Sequence, residues 1–164
     1  MPKNLRHIFR SELIRQRKAG LRVSRNEFKK SKNGKYADYR HIYSDNSYRK
    51  HWGRAQKFAE YCKKKGVKSM REITPDFAKQ YLVYERDKSV RGYSGYSAST
   101  IASDALMINH IMIGSKVWKE DERVLKSKIP NMPHRSQDIL KQRNKNLTAK
   151  EWVERYPHTY NAYK

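Results

Sequence analysis

Tyr48, Trp52, Ala55, Ala59 and Cys62 follow one another at steps of four, three, four and three residues. A helix of 3.6 residues per turn gathers such a series on one side, whereas a strand of period two would scatter it over both faces. Arg49, Lys50, Arg54 and Lys57 fall on the polar side of that helix. Lys63, Lys64 and Lys65 crowd its last turn, where cations suit the negative end of the helix dipole. Asp45 and Ser47 both qualify as caps at its start, and Gly66 is the expected stop.

Three more segments carry the same period. Leu5, Ile8, Phe9 and Leu13 form a stripe in a helix expected from Leu5 to Ala19, with Gly20 as its stop. Thr74-Pro75-Asp76 sets a hydroxyl cap, a proline in the first helical position and an acid at the positive end, opening a helix to about Asp87 with Tyr81 and Leu82 in the core. From Ser97 a fourth helix follows, with Ile101, Ala105, Ile108 and Met112 at steps of four, three and four. Leu106 and Ile111 are expected to widen its buried side, and Gly114 to close it.

The stretches between are of another kind. Residues 21–45 lose the period and collect Lys29, Lys30, Lys32 and Lys35 with Tyr36, Tyr39 and Arg40, a basic loop. Beyond Trp118, Pro130 and Pro133 mark a linker, and Thr148-Ala149-Lys150-Glu151 is a capping box for a last short helix that stops at Pro157. No segment alternates as a strand would. The expected fold is all-α, in three stretches: an N-terminal helix and basic loop (1–45), a helical domain (46–117), and a linker leading into a possible following domain (118–164).

Lys and Arg number 38 against 16 Asp and Glu, a formal charge of +22 on 164 residues. Solubility needs only roughly 2 to 8 charges on a small domain. A surplus this large fits a polyanion, because each cation set against a phosphate releases condensed counterions. No single tail accounts for it: basic residues outnumber acidic ones 13 to 4 in 1–45, 14 to 6 in 46–117 and 11 to 6 in 118–164.

Enzyme signatures are absent from the sequence. Cys62 stands alone, which excludes an intrachain disulfide and a Cys-based zinc site. There is no metal-ligand spacing, phosphate-binding glycine loop or serine elbow, and both His-x-x-Arg strings, His7 to Arg10 and His51 to Arg54, fall inside basic helices. No apolar run approaches the roughly 18 residues of a membrane span. No catalysis, cofactor, metal, small-molecule substrate or membrane partner is expected.

The nucleic-acid contacts are expected from two groups. Arg49, Lys50, Arg54 and Lys57, with the loop lysines Lys30, Lys32 and Lys35, suit phosphate contacts. At the start of the fourth helix Ser97, Ser99 and Thr100 combine hydroxyls with free backbone N–H groups, an arrangement that holds a phosphate. Ser103 and His110 continue that helix's polar face toward base edges in a major groove.

The order of these elements carries a family resemblance. Tyr48-x-x-x-Trp52 runs through Phe58-Ala59-Glu60-Tyr61-Cys62 to Gly66-Val67, then Ile73-Thr74-Pro75, Tyr81-Leu82 and Tyr96-Ser97-Ala98-Ser99-Thr100-Ile101. From about Gly34 to Met112 the chain resembles the N-terminal SAM-like core-binding domain of tyrosine recombinases, the integrase family of phages and mobile elements. The resemblance implies a small four-helix SAM-like bundle, here with an extra N-terminal helix, that clamps one face of duplex DNA and self-associates on it. It further implies a role in integration, or in plasmid or phage replication or regulation derived from it, in the cytoplasm of a bacterial host. The family's last core-binding helix often carries an Arg where this chain has Asn109. Its catalytic Arg, Lys, His-x-x-Arg and nucleophilic Tyr belong to a separate domain, for which the stretch around Leu147-Thr148-Ala149-Lys150-Glu151-Trp152 resembles the beginning. No His-x-x-Arg follows Met112, so Tyr156, Tyr160 and Tyr163 are not assigned as nucleophiles. An RNA-binding or ribosome-associated basic helical protein is the alternative that charge leaves open.

Overall fold

The structure is a computed structural model that describes residues 4–26, 38–90 and 98–130. Among them there are four long helices and no strand: α1 (Leu5–Gly20), α2 (Asp45–Lys64), α3 (Pro75–Val90) and α4 (Ala98–Gly114). Single 3-10 turns lie at Met70–Glu72, Glu120–Glu122 and Lys126–Lys128. The expected all-α bundle is thus present. The last helix expected near Thr148 and residues 27–37 of the basic loop lie outside the described residues.

Local chemistry explains the helix ends. Asn4 caps α1 through a 2.9 Å bond from the His7 N–H, and Thr74 Oγ1 caps α3 through a 3.1 Å bond from the Phe77 N–H. The cap of α2 is Ser44, which accepts from the Ser47 N–H at 3.1 Å, so neither Asp45 nor Ser47 fills that role. Gly66, at φ +77°, turns the chain where α2 ends. Gly114 closes α4 for a different reason than a turn. A Cβ there would fall on the Gln16 side-chain nitrogen and 2.7 Å from the Tyr39 carbonyl oxygen, so the glycine marks a close approach of three segments, and the left-handed residue is Lys116.

One core takes in all three expected stretches. Leu5, Phe9 and Leu13 of α1 meet Ala55, Phe58, Ala59 and Cys62 of α2, and the rings of Phe9 and Phe58 stack at 5.7 Å. Pairing of Arg6 with Gln56 and of Arg17 with Asp45 shows that α1 and α2 run antiparallel. The N-terminal helix is therefore one of the four bundle helices, not an addition to them. Tyr81 and Leu82 of α3 are buried as expected. Trp118, Val124 and Ile129 close the far side, with Trp118 Nε1 donating to the Ile73 carbonyl at 2.8 Å.

α4 is the central helix. From Asp104 to Gly114 only Leu106 reaches solvent, at 41% exposure, so it does not widen the buried side. A helix buried on nearly every side must satisfy its polar residues internally. Asn109 does so by donating to the Val124 carbonyl at 2.8 Å and accepting from the Val124 N–H at 2.9 Å.

Candidate nucleic-acid interface

α2 carries its cations on the side away from the core. Arg49, Lys50, Lys57, Lys63 and Lys64 are exposed, and at 100° per residue Arg49, Lys50, Lys57 and Lys64 share one face with Gly53 at its centre. A Cβ on Gly53 would meet nothing within 4 Å.

The flank of α2 that faces α1 bears a second group. Trp52 is half-buried, and the guanidinium groups of Arg6 and Arg10, one turn apart on α1, lie 5.7 and 5.9 Å from its ring centre. Arg6 also donates to Gln56 Oε1 at 2.8 Å. Indole and amide thus hold two guanidinium groups in place while leaving N–H donors for a ligand. Nothing in the linear pattern singled out this pair. The available signal was cations at i and i+4 beside the stripe of α1, but the partner that orders them sits on another helix.

Ion pairs lie mostly elsewhere. Arg15 meets Glu12 at 2.5 Å, Arg17 meets Asp45 at 2.9 Å, Arg86 meets Asp87 at 3.1 Å and Arg40 meets Glu120 at 3.9 Å. Among the described residues no carboxylate lies within 4 Å of the cationic atoms of Arg6, Arg10, Arg49, Lys50, Lys63 or Lys64. Glu60 is exposed on the same face of α2, yet none of these six cations is paired with it or with another described carboxylate, and cations outnumber acids there.

The expected contact residues fare unequally. Arg54 is partly buried and directed to Asp104 of α4 at 3.6 Å. Burial lifts the Asp104 carboxyl to about 6 even though Arg54 and Lys57 oppose it. The pair brings the cations of α2 beside the start of α4, where Ser99 is exposed and Thr100 half-buried. Ser103 Oγ donates to the Ser99 carbonyl at 3.0 Å, one turn back along α4. Lys30, Lys32, Lys35 and Ser97 lie outside the described residues.

His110 cannot approach base edges. It is 5% exposed, its Nδ1 lies 2.8 Å from Gln16 Oε1, and its ring faces His51 and the edge of Tyr39. Burial, then the neighbouring His51, pushes its pKa down to about 3. Of the side of α4 read as polar, Ser103 stays half-buried near the helix start, while His110 lies in the core and pairs inside the bundle.

Among the described residues no group of three or more metal-binding side chains occurs, and no helix is long and apolar enough to cross a membrane. Compared with protein-family models, curated proteins and solved structures, the chain matches none.

Proposed function

We propose that this chain is a duplex-DNA-binding domain of the tyrosine-recombinase core-binding type, holding DNA without cutting it. The observation that carries the reading is the α1–α2 face, on which Arg6, Arg10, Arg49, Lys50, Lys63 and Lys64 stand with no described carboxylate within 4 Å. Two features favour a duplex. The cations project from rigid helices, so their spacing is fixed before binding, and Arg6 and Arg10 are already ordered over Trp52, which lowers the entropy cost of contacting phosphates. Ser99, exposed at the start of α4, adds a hydroxyl on the helix that carries Asp104. The order of elements over residues 34–112 supports a task in mobile-element integration, or in replication or regulation derived from it, on cytoplasmic DNA.

Fluorescence anisotropy with a labelled duplex at several salt concentrations tests the reading. The logarithm of the affinity should fall linearly with that of salt, by about 0.9 per phosphate contacted. Structured RNA of equal length should compete less well than unlabelled duplex. A flat salt response would remove nucleic acid as the partner, and stronger competition by RNA would transfer the face to RNA.

A further inference from the structure

A cleft of about 680 Å³ opens at the end of the α1–α2 seam, between the first turn of α1, the second half of α2 and the turn at Gly66. We propose that it is a docking site for an acidic peptide segment of a partner protein that inserts an aliphatic side chain. This assignment does not depend on the DNA-binding reading.

The lining divides by chemistry. Leu5, Ala59 and Val67 contribute apolar surface, while Arg6, Lys57, Lys63 and Lys68 supply cations. Glu60 is the one carboxylate among the described lining residues. A volume of this size lies within the range of about 300 to 1,000 Å³ typical of ligand sites.

The occupant follows from what the lining offers. None of the described lining residues is aromatic, so they offer a nucleobase no platform to stack on, and a bare phosphate chain would leave the apolar surface facing water. A leucine-like side chain fits that surface. Carboxylates on either side of it come within reach of Lys63 and Lys68, long side chains able to follow a flexible acidic segment, and of Arg6, which Trp52 and Gln56 hold at the rim. An acidic peptide with an aliphatic anchor satisfies both parts of the lining together.

The experiment uses the full chain and two fluorescein-labelled synthetic peptides of equal length and charge. In one, leucines alternate with aspartates and glutamates; in the other, serines replace the leucines. The leucine peptide should bind about tenfold more tightly than the serine peptide. Lys63→Glu with Lys68→Glu should weaken it about tenfold, whereas Arg49→Glu with Lys50→Glu, an equal charge change in the first half of α2, should alter it by less than about twofold. All four of these side chains are exposed, and circular dichroism checks that the fold is kept. Equal binding of the two peptides, or equal losses in the two double variants, would overturn the proposal. Titrating the same proteins with duplex separates the two ideas: a chain that takes the leucine peptide but no duplex keeps the docking site and loses the DNA-binding reading.

Discussion

The imidazoles of His51 on α2 and His110 on α4 lie with ring centres 4.8 Å apart inside the bundle, and among the described atoms His51 Nδ1 has no hydrogen-bond partner. Burial is the main cause that holds both rings neutral. It lowers the pKa of His51 to about 4, with the charge of Arg54 adding to it, and that of His110 to about 3. Unfolding releases each ring to its ordinary value near 6.5. Below that pH the unfolded chain therefore binds protons that the folded chain refuses, and stability falls as pH is lowered toward 4. Asp104 acts in the opposite sense. Its folded pKa of about 6 exceeds the ordinary 3.8, so its contribution is lost as pH rises through 6. Two histidines outweigh one carboxyl, and the melting temperature should drop between pH 6.5 and 4. In His51→Leu that decline should be shallower; a slope as steep as the parent's would contradict the account.

Arg54 faces Asp104 from across the bundle, so neutralising the acid should release the guanidinium toward solvent. Asp104→Asn is expected to raise duplex affinity severalfold and to steepen its salt dependence by up to about one phosphate contact. Anisotropy titrations at two salt concentrations decide this. Unchanged affinity would place Arg54 outside the interface.

Arg6→Ala and Arg10→Ala should each weaken binding to all duplex sequences alike and make the salt slope shallower by about 0.9. Trp52, which both arginines contact, should report the event by a change in tryptophan emission when duplex is added. Ser99→Ala, by contrast, should act mainly at a preferred site. Equal effects of all three substitutions on random and selected duplex would contradict this division of roles.

Two glycines should respond oppositely to the same substitution. At Gly20 a Cβ would fall on the carbonyl oxygen of Ile42 and lie 2.7 Å from its carbon, so Gly20→Ala must push two backbone segments apart and should cost about 1–3 kcal/mol. Gly53 sits inside α2 with open space around it, and Gly53→Ala should stabilise by roughly 0.5–1 kcal/mol through helix propensity. Urea unfolding measures both.

Helix positions were legible because apolar spacing and capping residues act locally. The stripe beginning at Tyr48, the Thr74 cap and the core positions Tyr81 and Leu82 all depend on neighbours within a turn or two. What escaped depends on partners distant in sequence. His110 falls seven residues after Ser103, and two hydrogen-bonding groups at that spacing suggest a polar face, yet Gln16, 94 positions away, provides its partner inside the bundle. Asn109 is fixed by Val124 and Arg54 by Asp104 for the same reason. A stripe shows which side of a helix is apolar but not how many helices surround it. That is why α4 seemed to keep a free polar side and α1 seemed an addition to the bundle. At the candidate interface, the cations of α2 were evident from their spacing. The order imposed on Arg6 and Arg10 was not, because Trp52 reaches them only after α1 and α2 have paired.

Gln16 bonds the His110 carbonyl through Nε2 at 2.6 Å and accepts the Ile42 N–H on its own carbonyl at 3.0 Å. Ribosomes deliver α1 before α4, so this side chain waits through the synthesis of 94 further residues for the helix that completes its bonding. During that interval α1 and α2 can zip together locally, whereas closure of the core is a late event across a long loop. A nascent chain halted before residue 110 therefore displays the most basic helices without the frame that fixes them, and a protease should digest it readily while sparing one extended past Ile129.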